Sequence, residues 1–266
     1  MSGSNRSDPL DGLRHQLASG VVRAVSFDLF DTLVSVDPAR LPHLNFNGAN
    51  HRSTLPLLAD ALAPEYPAAT RIEILNTLAS QPVRPPFPPE QCREIPDQFL
   101  FEAVLSGLGA PRYTHPEILA ARLCDIQMEA IAASIHACPG ALEVLRALRT
   151  AGFRVALLSN LSHASAIGNL LSKSGLEGLF DATILSENIG FCKPHPAMFR
   201  ALLEKLNLSP QHIVHIGDDA VADIWGASSF GMRSIWLSPA ARPYPAGRHQ
   251  PTWTISDLRQ LRPHIP

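Results

Sequence analysis

A series of short apolar runs, several of which end on a polar residue, alternates with amphipathic segments along the second half of this chain. A further run, VVRAVSFDLF at 21–30, lies near the start and is mostly apolar up to Asp28. A short apolar run that ends on a carboxylate is typical of a buried parallel strand. Strands are predicted at 21–30, 153–160, 181–185, 212–219 and 233–237, with helices at 141–152, 163–174, 196–207 and 221–230. This alternation predicts an α/β fold, a parallel sheet covered on both faces.

The series is interrupted after its first strand by a segment of different character, which extends from 38 to 138. Segments 54–63, 97–108 and 116–135 predict helices, because their apolar residues recur at helical spacing. The Pro-rich stretch at 84–90 excludes regular structure there. No alternating strand pattern stands out, so the sequence predicts an all-helical insert. The division is a polar N-terminal arm at 1–20, an α/β core at 21–37 and 139–266, and a helical cap at 38–138. The arm is expected to be either loose or a single short helix, and the core is expected to end in a short helix at 255–261.

Composition and charge exclude several classes of function. The 266 residues are 45% hydrophobic and carry a net charge of -2, which supplies a core but no basic field for nucleic acid or anionic lipid. The four cysteines are widely spaced without a CxxC pair, so neither a zinc site nor a disulfide scaffold is expected. No segment has the pattern of a signal peptide or a membrane helix. We expect a cytoplasmic protein without a nucleic-acid or membrane partner, and the sequence leaves its oligomeric state open.

Polar side chains gather at the ends of the predicted strands. Taken singly, each has an ordinary structural explanation as a turn residue, a helix cap or a solvated charge. Together they supply a nucleophilic carboxylate, a hydroxyl donor, a cation and carboxylates suited to Mg²⁺. Ligands of open α/β sheets bind at the carboxyl ends of the strands, so we expect these groups to meet there. The set, in chain order, is Asp28, Ser159, Asn160, Lys193, Asp218, Asp219 and Asp223.

Four segments together resemble the four motifs of the haloacid dehalogenase-like hydrolase superfamily. They are FDLFDTL at 27–33, LLSN at 157–160, SENIGFCKPHPAMF at 186–199 and GDDAVAD at 217–223. The resemblance covers residues 21–238, including the PGALEVLRALRTAG helix that usually precedes the second motif. It implies a Rossmann-like parallel sheet core, and the helical insert after the first motif implies the C1-type cap of subfamily I.

The resemblance also implies how these residues act. Asp28 would be the nucleophile that forms an aspartyl intermediate. Ser159 and the backbone of Asn160 would hold the oxygens of the transferred phosphoryl group, which Phe30 would also contact. Lys193 would neutralise charge on the nucleophile and on the phosphoryl group. Phosphoryl transfer depends mostly on positioning and on neutralising the equatorial oxygens, so these residue types suit it.

A Mg²⁺ site is implied by the same resemblance. Asp28, Asp218 and the backbone carbonyl of Phe30 would hold the ion, and Asp223 would support the site. Asp219 has two interpretations, as part of the metal's surroundings or as a cap on the next helix.

Phe30 departs from the pattern of the superfamily's phosphatases, which usually carry a second Asp two residues after the nucleophile as general acid and base. Asp31 is one residue out of register, so we expect a structural role in the turn. A general acid typically contributes roughly 10²–10⁴-fold, which matters less when the leaving group is an acyl phosphate. Haloacid dehalogenases carry an aromatic residue here but use no metal. Asp218 and Asp219 beside Asp28 would repel one another without a cation, which favours phosphate chemistry.

Three functions remain after these comparisons. The favoured one is a Mg²⁺-dependent hydrolase that acts on a small phosphorylated metabolite, either a phosphoric monoester or an acyl phosphate. The alternatives are a 2-haloacid dehalogenase and a catalytically weakened phosphate-binding protein. A phosphonatase is excluded because it needs a lysine in the cap, whereas Lys173, Lys193 and Lys205 all lie outside it.

The cap entry and the histidines give weaker indications. We expect His195 to lie nearest the site and His215 to be a core residue with its hydrogen bonds satisfied. A polar cluster near the cap entry could face an anionic substrate, although a solvated loop is favoured. Its members are Arg40, His43, Asn45, Asn47, Asn50, His51 and Arg52.

Overall fold

The fold is described from a computed structural model, which covers residues 10–46, 48–80, 91–238, 243–245 and 249–266. Within these residues the strands are β1 Ala24–Phe27, β2 Val34–Val36, β3 His43–Phe46, β4 Ala49–Arg52, β5 Ile135–Ala137, β6 Arg154–Ser159, β7 Ala182–Leu185, β8 Ile213–Gly217, β9 Arg233–Leu237 and β10 Trp253–Ile255. The α-helices are α1 Asp11–Ala18, α2 Leu55–Leu62, α3 Arg71–Ala79, α4 Asp97–Leu108, α5 Pro116–Ser134, α6 Ala141–Thr150, α7 Ile167–Ser174, α8 Ser186–Ile189, α9 Pro196–Leu206 and α10 Gly226–Ser229. The Pro-rich stretch at 84–90 and residues 1–9 lie outside the described residues.

The predicted parallel sheet is present and has six strands in the order β10-β9-β8-β1-β6-β7. Each adjacent pair is parallel. The central strand is β1, where Ala24 aligns with Arg154 of β6 on one side and with Ile213 of β8 on the other. The carboxyl ends of β1, β6 and β8 therefore lie side by side, which confirms the α/β fold.

Helices cover both faces of the sheet because successive strand residues alternate between two apolar clusters. Val25 and Phe27 of β1 join a cluster that includes Val144 and Leu148 of α6. Ala24 belongs to the opposite cluster, with the apolar face of α9. Strands buried on both faces lose the polar alternation of a surface strand, which explains why they are continuous apolar runs in the sequence.

The inserted segment 38–138 packs most of its helices around a third apolar cluster, which includes Leu58, Leu78, Phe101 and Leu119. The expectation of an all-helical insert is corrected at its start, where β3 and β4 form a two-stranded antiparallel sheet. Leu44 and Phe46 of β3 join the helical cluster, whereas all four residues of β4 are exposed. Two buried apolar residues in a short strand are a weak sequence signal, which is why the pattern predicted no strand.

Two further segments lie near the ends of the described chain. Of the two forms predicted for the N-terminal segment, the short helix is present as α1, and Leu13 and Leu17 of that helix are buried in the core. Near the C-terminus, the helix predicted at 255–261 corresponds to a 3-10 helix at Leu258–His264, and before it β10 adds an edge strand that the sequence does not predict. Among the described residues, no helix combines the length and the apolar character needed to cross a membrane.

The insert joins the sheet through an antiparallel pair of short strands, β2 and β5. Val34, which opens β2, comes six positions after Asp28, and Ala137 opposite it precedes α6. Helix α5 contacts both parts of the molecule, because Leu119 belongs to the apolar cluster of the insert and Met128 to the cluster of the sheet. The insert is thus attached directly beside the carboxyl edge of the sheet.

Candidate active site

Asp28 lies where β1 ends, at the start of a tight turn that leads into the insert. Its backbone N–H donates to the carbonyl of Ile216 in β8 at 2.9 Å, so the sheet ladder extends to this residue. The turn closes when the N–H groups of Leu33 and Val34 donate to the carbonyl of Leu29 at 2.8 and 2.9 Å. The carboxylate is thereby directed from a rigid strand end, as a nucleophile requires.

Lys193 joins two carboxylates at this edge of the sheet. Its Nζ donates to Asp28 Oδ1 at 2.5 Å and to Asp223 Oδ1 at 2.6 Å. The Lys193 side chain is 2% exposed and that of Asp223 is 1% exposed. A charged group buried to this degree is retained only when its partners are in place, so the three residues form one unit.

The protonation of this unit follows from burial and from its internal charges. Burial opposes the charge on Lys193, but the carboxylates of Asp223 and Asp28 outweigh it and raise the pKa of the ammonium. Burial also opposes the charge on Asp223, yet Lys193 and His215 hold the pKa of that carboxyl well below its usual range. For Asp28, burial dominates and raises the pKa to about 7. Lys193 and Asp223 are therefore a charged pair.

A buried hydrogen-bond chain extends from Asp223 below the site. His215 Nε2 lies 3.1 Å from Asp223 Oδ1, and Ser26 Oγ lies 2.9 Å from His215 Nδ1. Burial lowers the pKa of His215, so the ring is neutral, and the ionised Asp223 can only accept. His215 Nε2–H therefore donates to Asp223, and the Ser26 hydroxyl donates to Nδ1. This confirms His215 as a core residue with both ring nitrogens satisfied and adds a contact with the site.

The loop after β8 brings Asp218, Asp219 and Asp223 to the same edge. Asp219 caps the π-helix at Ala220–Trp225, since its Oδ1 accepts from the N–H groups of Val221 and Ala222 at 2.7 Å each. Asp219 N–H in turn donates to Asp223 Oδ2 at 3.0 Å. This answers the open question about Asp219 in favour of the cap.

Gly217 is required by the close approach of Asp223. A Cβ atom at position 217 would overlap the Asp223 carboxyl group. Beside it, the Trp236 indole N–H donates to the backbone carbonyl of Asp218 at 2.8 Å, which fixes the loop. The glycine of the GDD sequence therefore has a packing role at the site.

The Asn160 side chain holds the loop that carries Lys193. Its Oδ1 accepts from the Lys193 backbone N–H at 2.6 Å, and its Nδ2 donates to the Lys193 carbonyl at 3.1 Å. The peptide bond between Lys193 and Pro194 is cis. Ser159 is buried at the end of β6, beside the end of β1. The sequence predicts only the backbone of Asn160 at the site, and it gives no indication of these two side-chain hydrogen bonds to Lys193.

Phe30 occupies the position two residues after Asp28 and packs against the core of the sheet. Asp31 has a φ of 55°, a left-handed conformation that Asp tolerates better than most residues. Its backbone N–H donates to the Val34 carbonyl at 2.7 Å, and its side chain is exposed. These contacts agree with a structural role for Asp31 in the turn.

The carboxylates at this edge suit a divalent cation. Oxygens of Asp28, Asp218 and Asp223 all lie within 4.8 Å of one another. Burial, followed by the charges of Asp223 and Asp31, raises the pKa of Asp218 to about 6. Such crowding is relieved by Mg²⁺, which prefers carboxylate oxygens. Because both oxygens of Asp223 already accept hydrogen bonds, its contacts fit a supporting role better than direct ligation.

A segment of the insert, residues 92–97, lies against the loop between α8 and α9, residues 190–195. We call the first segment the cap strap and the second the Lys193 loop. The Glu94 N–H donates to the Gly190 carbonyl at 3.1 Å. Further along, Ser162 Oγ donates to Asp97 Oδ1 at 2.7 Å. The strap therefore contacts two of the loops that surround the site, a feature that no sequence pattern had indicated.

The remaining expectations concern His195 and the cap entry. His195 lies on the Lys193 loop, where its Nδ1 caps α9 by accepting from the Ala197 N–H at 3.1 Å. Its ring stacks on Phe191 with centroids 3.9 Å apart. The described members of the polar cluster at 40–52 are all exposed, as a solvated segment requires, although most of them lie on the β3–β4 hairpin and not on a loop. Asn47 lies outside the described residues.

The curated proteins that this chain resembles include phosphatases and a 2-haloacid dehalogenase. The pyrimidine 5'-nucleotidase YjjG of Escherichia coli (strain K12) is 34% identical over 125 residues, which are 46% of this chain and 54% of that protein. The glyceraldehyde 3-phosphate phosphatase of Pyrococcus abyssi is 31% identical over 99 residues, or 37% of this chain and 41% of that protein. The chain spans about half the length of the curated relatives it matches.

Among solved structures, the 2-haloacid dehalogenase from Pseudomonas syringae pv. Tomato DC3000 superposes with a TM-score of 0.63 at 23% identity. The match covers 92% of this chain and 98% of that chain, and it supports the fold alone. The sequence profile of the haloacid dehalogenase-like hydrolases matches residues 22–231. Since this match begins before β1 and extends past the loop that carries Asp223, the chain belongs to the haloacid dehalogenase-like hydrolase family.

Proposed function

We propose that this hydrolase is a Mg²⁺-dependent phosphohydrolase that acts on a small phosphorylated metabolite through an aspartyl phosphate. The observation that supports it most is the cluster of Asp28, Asp218 and Asp223, two of which contact the ammonium of Lys193. Within the described residues of this cluster, three carboxylates beside the Lys193 ammonium leave an excess of negative charge. A divalent cation and a phosphoryl group together suit this excess, whereas a metal-free dehalogenase would leave the carboxylates uncompensated.

The reaction begins at Asp28. One of its oxygens attacks phosphorus in line, the new O–P bond forms, and the bond from phosphorus to the leaving oxygen breaks. Water then attacks the aspartyl phosphate, and Asp28 leaves as a carboxylate while inorganic phosphate is released. The rigid strand end before Asp28 supplies the positioning on which such transfers depend.

Lys193, Ser159 and Asn160 neutralise and orient the transferred group in this proposal. An ammonium has three N–H donors. Two of those of Lys193 meet Asp28 and Asp223, and the third is assigned to a phosphoryl oxygen. The Ser159 hydroxyl and the Asn160 backbone N–H are assigned to the other oxygens. The Asn160 side chain also holds Lys193 in place through both backbone polar groups of that residue.

Asp28, Asp218 and the Phe30 carbonyl are the groups that would hold Mg²⁺, with Asp223 as their support. When bound, the ion supplies positive charge that offsets the charge of the phosphoryl oxygens. The Thr32 hydroxyl donates to Asp218 Oδ1 at 3.5 Å and helps to orient that carboxylate.

Phe30 restricts the range of leaving groups. The phenyl side chain of Phe30 cannot donate a proton, so an alkyl phosphate would have to release an unprotonated alkoxide. An acyl phosphate releases a carboxylate, which needs no acid. We therefore infer that acyl phosphates are better substrates than alkyl phosphates.

The inserted segment 38–138 is proposed to act as the cap domain of the site, with 21–37 and 139–266 as the catalytic core. Its attachment through β2 and β5 lies beside the Asp28 turn. A cap so attached can close over bound substrate and exclude water.

The test is turnover with and without Mg²⁺ on acetyl phosphate, p-nitrophenyl phosphate and 2-chloropropionate. We expect phosphate release that requires Mg²⁺, is highest on acetyl phosphate, and is abolished by EDTA. An Asp28→Asn variant should lose this activity, and an Asp60→Asn variant is the matched control because it removes an exposed carboxylate of α2 that pairs with exposed Arg71.

A 2-haloacid dehalogenase is the second candidate, and the aromatic side chain of Phe30 favours it. In that reaction Asp28 attacks carbon and displaces halide, and water hydrolyses the ester. Chloride release from 2-chloropropionate that is insensitive to EDTA would establish this function instead. Phosphate binding without turnover on any substrate would indicate a weakened binding protein.

A further inference from the structure

The cap strap and the Lys193 loop run antiparallel and share backbone hydrogen bonds. Arg93 pairs with Phe191 in an antiparallel bridge. On either side of that bridge, Glu94 N–H donates to Gly190 O at 3.1 Å and Cys192 N–H donates to Cys92 O at 2.7 Å. This register places Cys92 of the insert directly opposite Cys192, the residue that precedes Lys193.

The side chains confirm this register because residues alternate between the two faces of an extended pair. On one face, the Arg93 guanidinium lies 5.6 Å from the centre of the Phe191 ring. On the other face, Cys192 Sγ donates to Glu94 Oε2 at 3.0 Å. Cys92 and Glu94 are two residues apart and share a face, so Cys92 lies on the same side as Cys192.

Directly opposed residues in such a pair have Cα atoms about 5.5 Å apart. This lies within the range of about 4.4–6.8 Å that disulfides require. Because Cys92 and Cys192 share a backbone hydrogen bond, their Cβ atoms fall at the upper end of the range of about 4.5–5.5 Å for opposed residues, about 1 Å beyond the longest preferred disulfide separation. A bridge therefore needs only a small local shift, and the resulting strain makes it easy to reduce.

The other two cysteines are poorly suited to oxidation. Burial raises the pKa of the Cys124 thiol to about 12 and that of Cys138 to about 11. Since the thiolate is the reactive form, these two thiols are protected. Cys92 and Cys192 are half-buried, as Cys138 also is, so a small oxidant can reach them; what distinguishes them is that they lie opposite each other in the strand pair.

We propose that Cys92 and Cys192 form a redox modification site, at which hydrogen peroxide converts the two thiols into a disulfide between the insert and the Lys193 loop. One thiolate attacks the peroxide, the O–O bond breaks, and a sulfenic acid and one water form. The second thiolate attacks that sulfur, the S–S bond forms, the S–O bond breaks, and a second water leaves. The two sulfur atoms give up two electrons, and the two thiol protons end in water.

The bridge fastens the cap strap to the residue next to Lys193. A cap that must move away from the core to admit substrate is then held in one position. This consequence rests on the proposed function, whereas formation of the bridge does not. Oxidation should therefore lower turnover, and a dithiol reductant should restore it.

The experiment treats the full chain with hydrogen peroxide, blocks the remaining thiols, and maps disulfide-linked peptides by mass spectrometry before and after reduction. We expect two of the four thiols to disappear and one linked pair, Cys92 with Cys192, within a single chain. The variants Cys92→Ser and Cys192→Ser should each abolish the link, and the matched control Cys138→Ser should retain it. Circular dichroism checks that each variant is folded.

Four unoxidised cysteines after treatment, a link to another cysteine, or a link only between chains would overturn the proposal. Since mass mapping needs no substrate, a failure of the proposed phosphohydrolase function leaves this result unaffected. If the link forms and turnover on acetyl phosphate is unchanged, the coupling of the bridge to the site is refuted.

Discussion

At the scale of single residues, the site is defined by three hydrogen-bonded polar side chains and by one proton donor that the sequence lacks at position 30. Asp28, Lys193 and Asp223 are held by short hydrogen bonds among buried atoms. Phe30 stands where the phosphatases of the family usually have an acid. The absence of that proton donor is the residue-level feature with the largest consequence for substrate choice.

The first prediction restores the acid. Phe30→Asp should raise the rate on an alkyl phosphate such as glycerol phosphate relative to acetyl phosphate by about 10-fold, part of the 10²–10⁴-fold that a general acid contributes. The ratio of the two kcat/KM values measures the effect. Phe30→Asn is the control, because it is similar in size to Asp and donates no acidic proton. An equal rise in both variants would contradict the explanation.

The second prediction concerns His215, which positions Asp223 and, through it, Lys193. His215→Phe removes the donor to Asp223 and leaves Ser26 without its acceptor, and a lost hydrogen bond to a charged group costs about 1.5–3 kcal/mol. We expect kcat to fall about 10-fold, with little change in KM, in the folded variant. His215→Gln keeps one N–H donor and should recover part of kcat. A variant that is less stable but fully active would assign His215 to stability alone.

Asp28, Lys193 and Asp218 are predictable at the site from the sequence because each comes after a buried strand. The contacts of Asn160 and His215 are not predictable, since Asn160 belongs to a Ser-Asn pair that resembles a helix cap and His215 lies inside an apolar run. Such contacts depend on which atoms face each other across distant strands. A pattern along a single chain does not encode those distances.

At the scale of elements, the strands of the sheet were predictable and the small strands were not. The runs around β1, β6 and β8 are long and apolar because both of their faces are buried. By contrast, β4 is wholly exposed, and β10 is an edge strand of three residues that follows a proline. Their positions are set by partners elsewhere in the chain, which outweigh weak local preference.

Helix α3 was also missed, although its start carries a recognisable signal. Thr70 and Glu73 form a capping box, in which Thr70 Oγ1 accepts from the Glu73 N–H and Glu73 accepts from the Thr70 N–H. The T-x-x-E spacing is visible in the sequence. A capping-box motif at this spacing predicts a helix start, so α3 could have been predicted in addition to the three helices expected in the insert.

The third prediction concerns the loop that joins α4 to α5. Buried Glu65 accepts from the Thr114 hydroxyl at 2.5 Å and from the backbone N–H groups of Tyr113 and Thr114. The hydroxyl and then the N–H donors lower the pKa of Glu65. Its stabilisation is therefore present above the unfolded pKa and is lost as pH falls through the folded pKa. Glu65→Gln should lower Tm at pH 7, and the difference from the parent should shrink in acid.

Thermal unfolding followed by circular dichroism between pH 3 and pH 7 measures this difference. Glu117→Gln is the matched control, since it removes an exposed carboxylate from the first turn of α5. A Tm difference for Glu65→Gln that is constant with pH would show that the charge of Glu65 is not what stabilises the loop.

At the scale of the whole molecule, the carboxyl edge of the sheet concentrates negative charge while the chain as a whole is nearly neutral at -2. Asp28 follows β1, whereas Asp218 and Asp223 follow β8. A cation bound among them therefore connects parts of the fold that are distant in sequence. Binding should be visible in global stability without any turnover.

The fourth prediction is that Mg²⁺ raises Tm. A ligand that binds only the folded state stabilises it by about 2.7 kcal/mol at a hundred times its Kd. Differential scanning calorimetry with Mg²⁺ and with EDTA should show this shift for the parent and for Asp60→Asn, which removes an exposed carboxylate of α2. Asp218→Asn should lose most of the shift. An unchanged Tm in the parent at saturating Mg²⁺ would argue against a metal site.

The position of β1 in the middle of the sheet has a consequence for how the chain acquires its structure during synthesis. Both neighbours of β1 emerge only after the whole insert, so the central strand must wait for residues 154–159 and 213–217 before it can pair. The apolar cluster of the insert contains residues 44–124 and can condense earlier. Contacts that are distant in sequence form slowly and leave apolar strands exposed meanwhile. The nascent chain is therefore most vulnerable to aggregation through β1, the strand that immediately precedes Asp28.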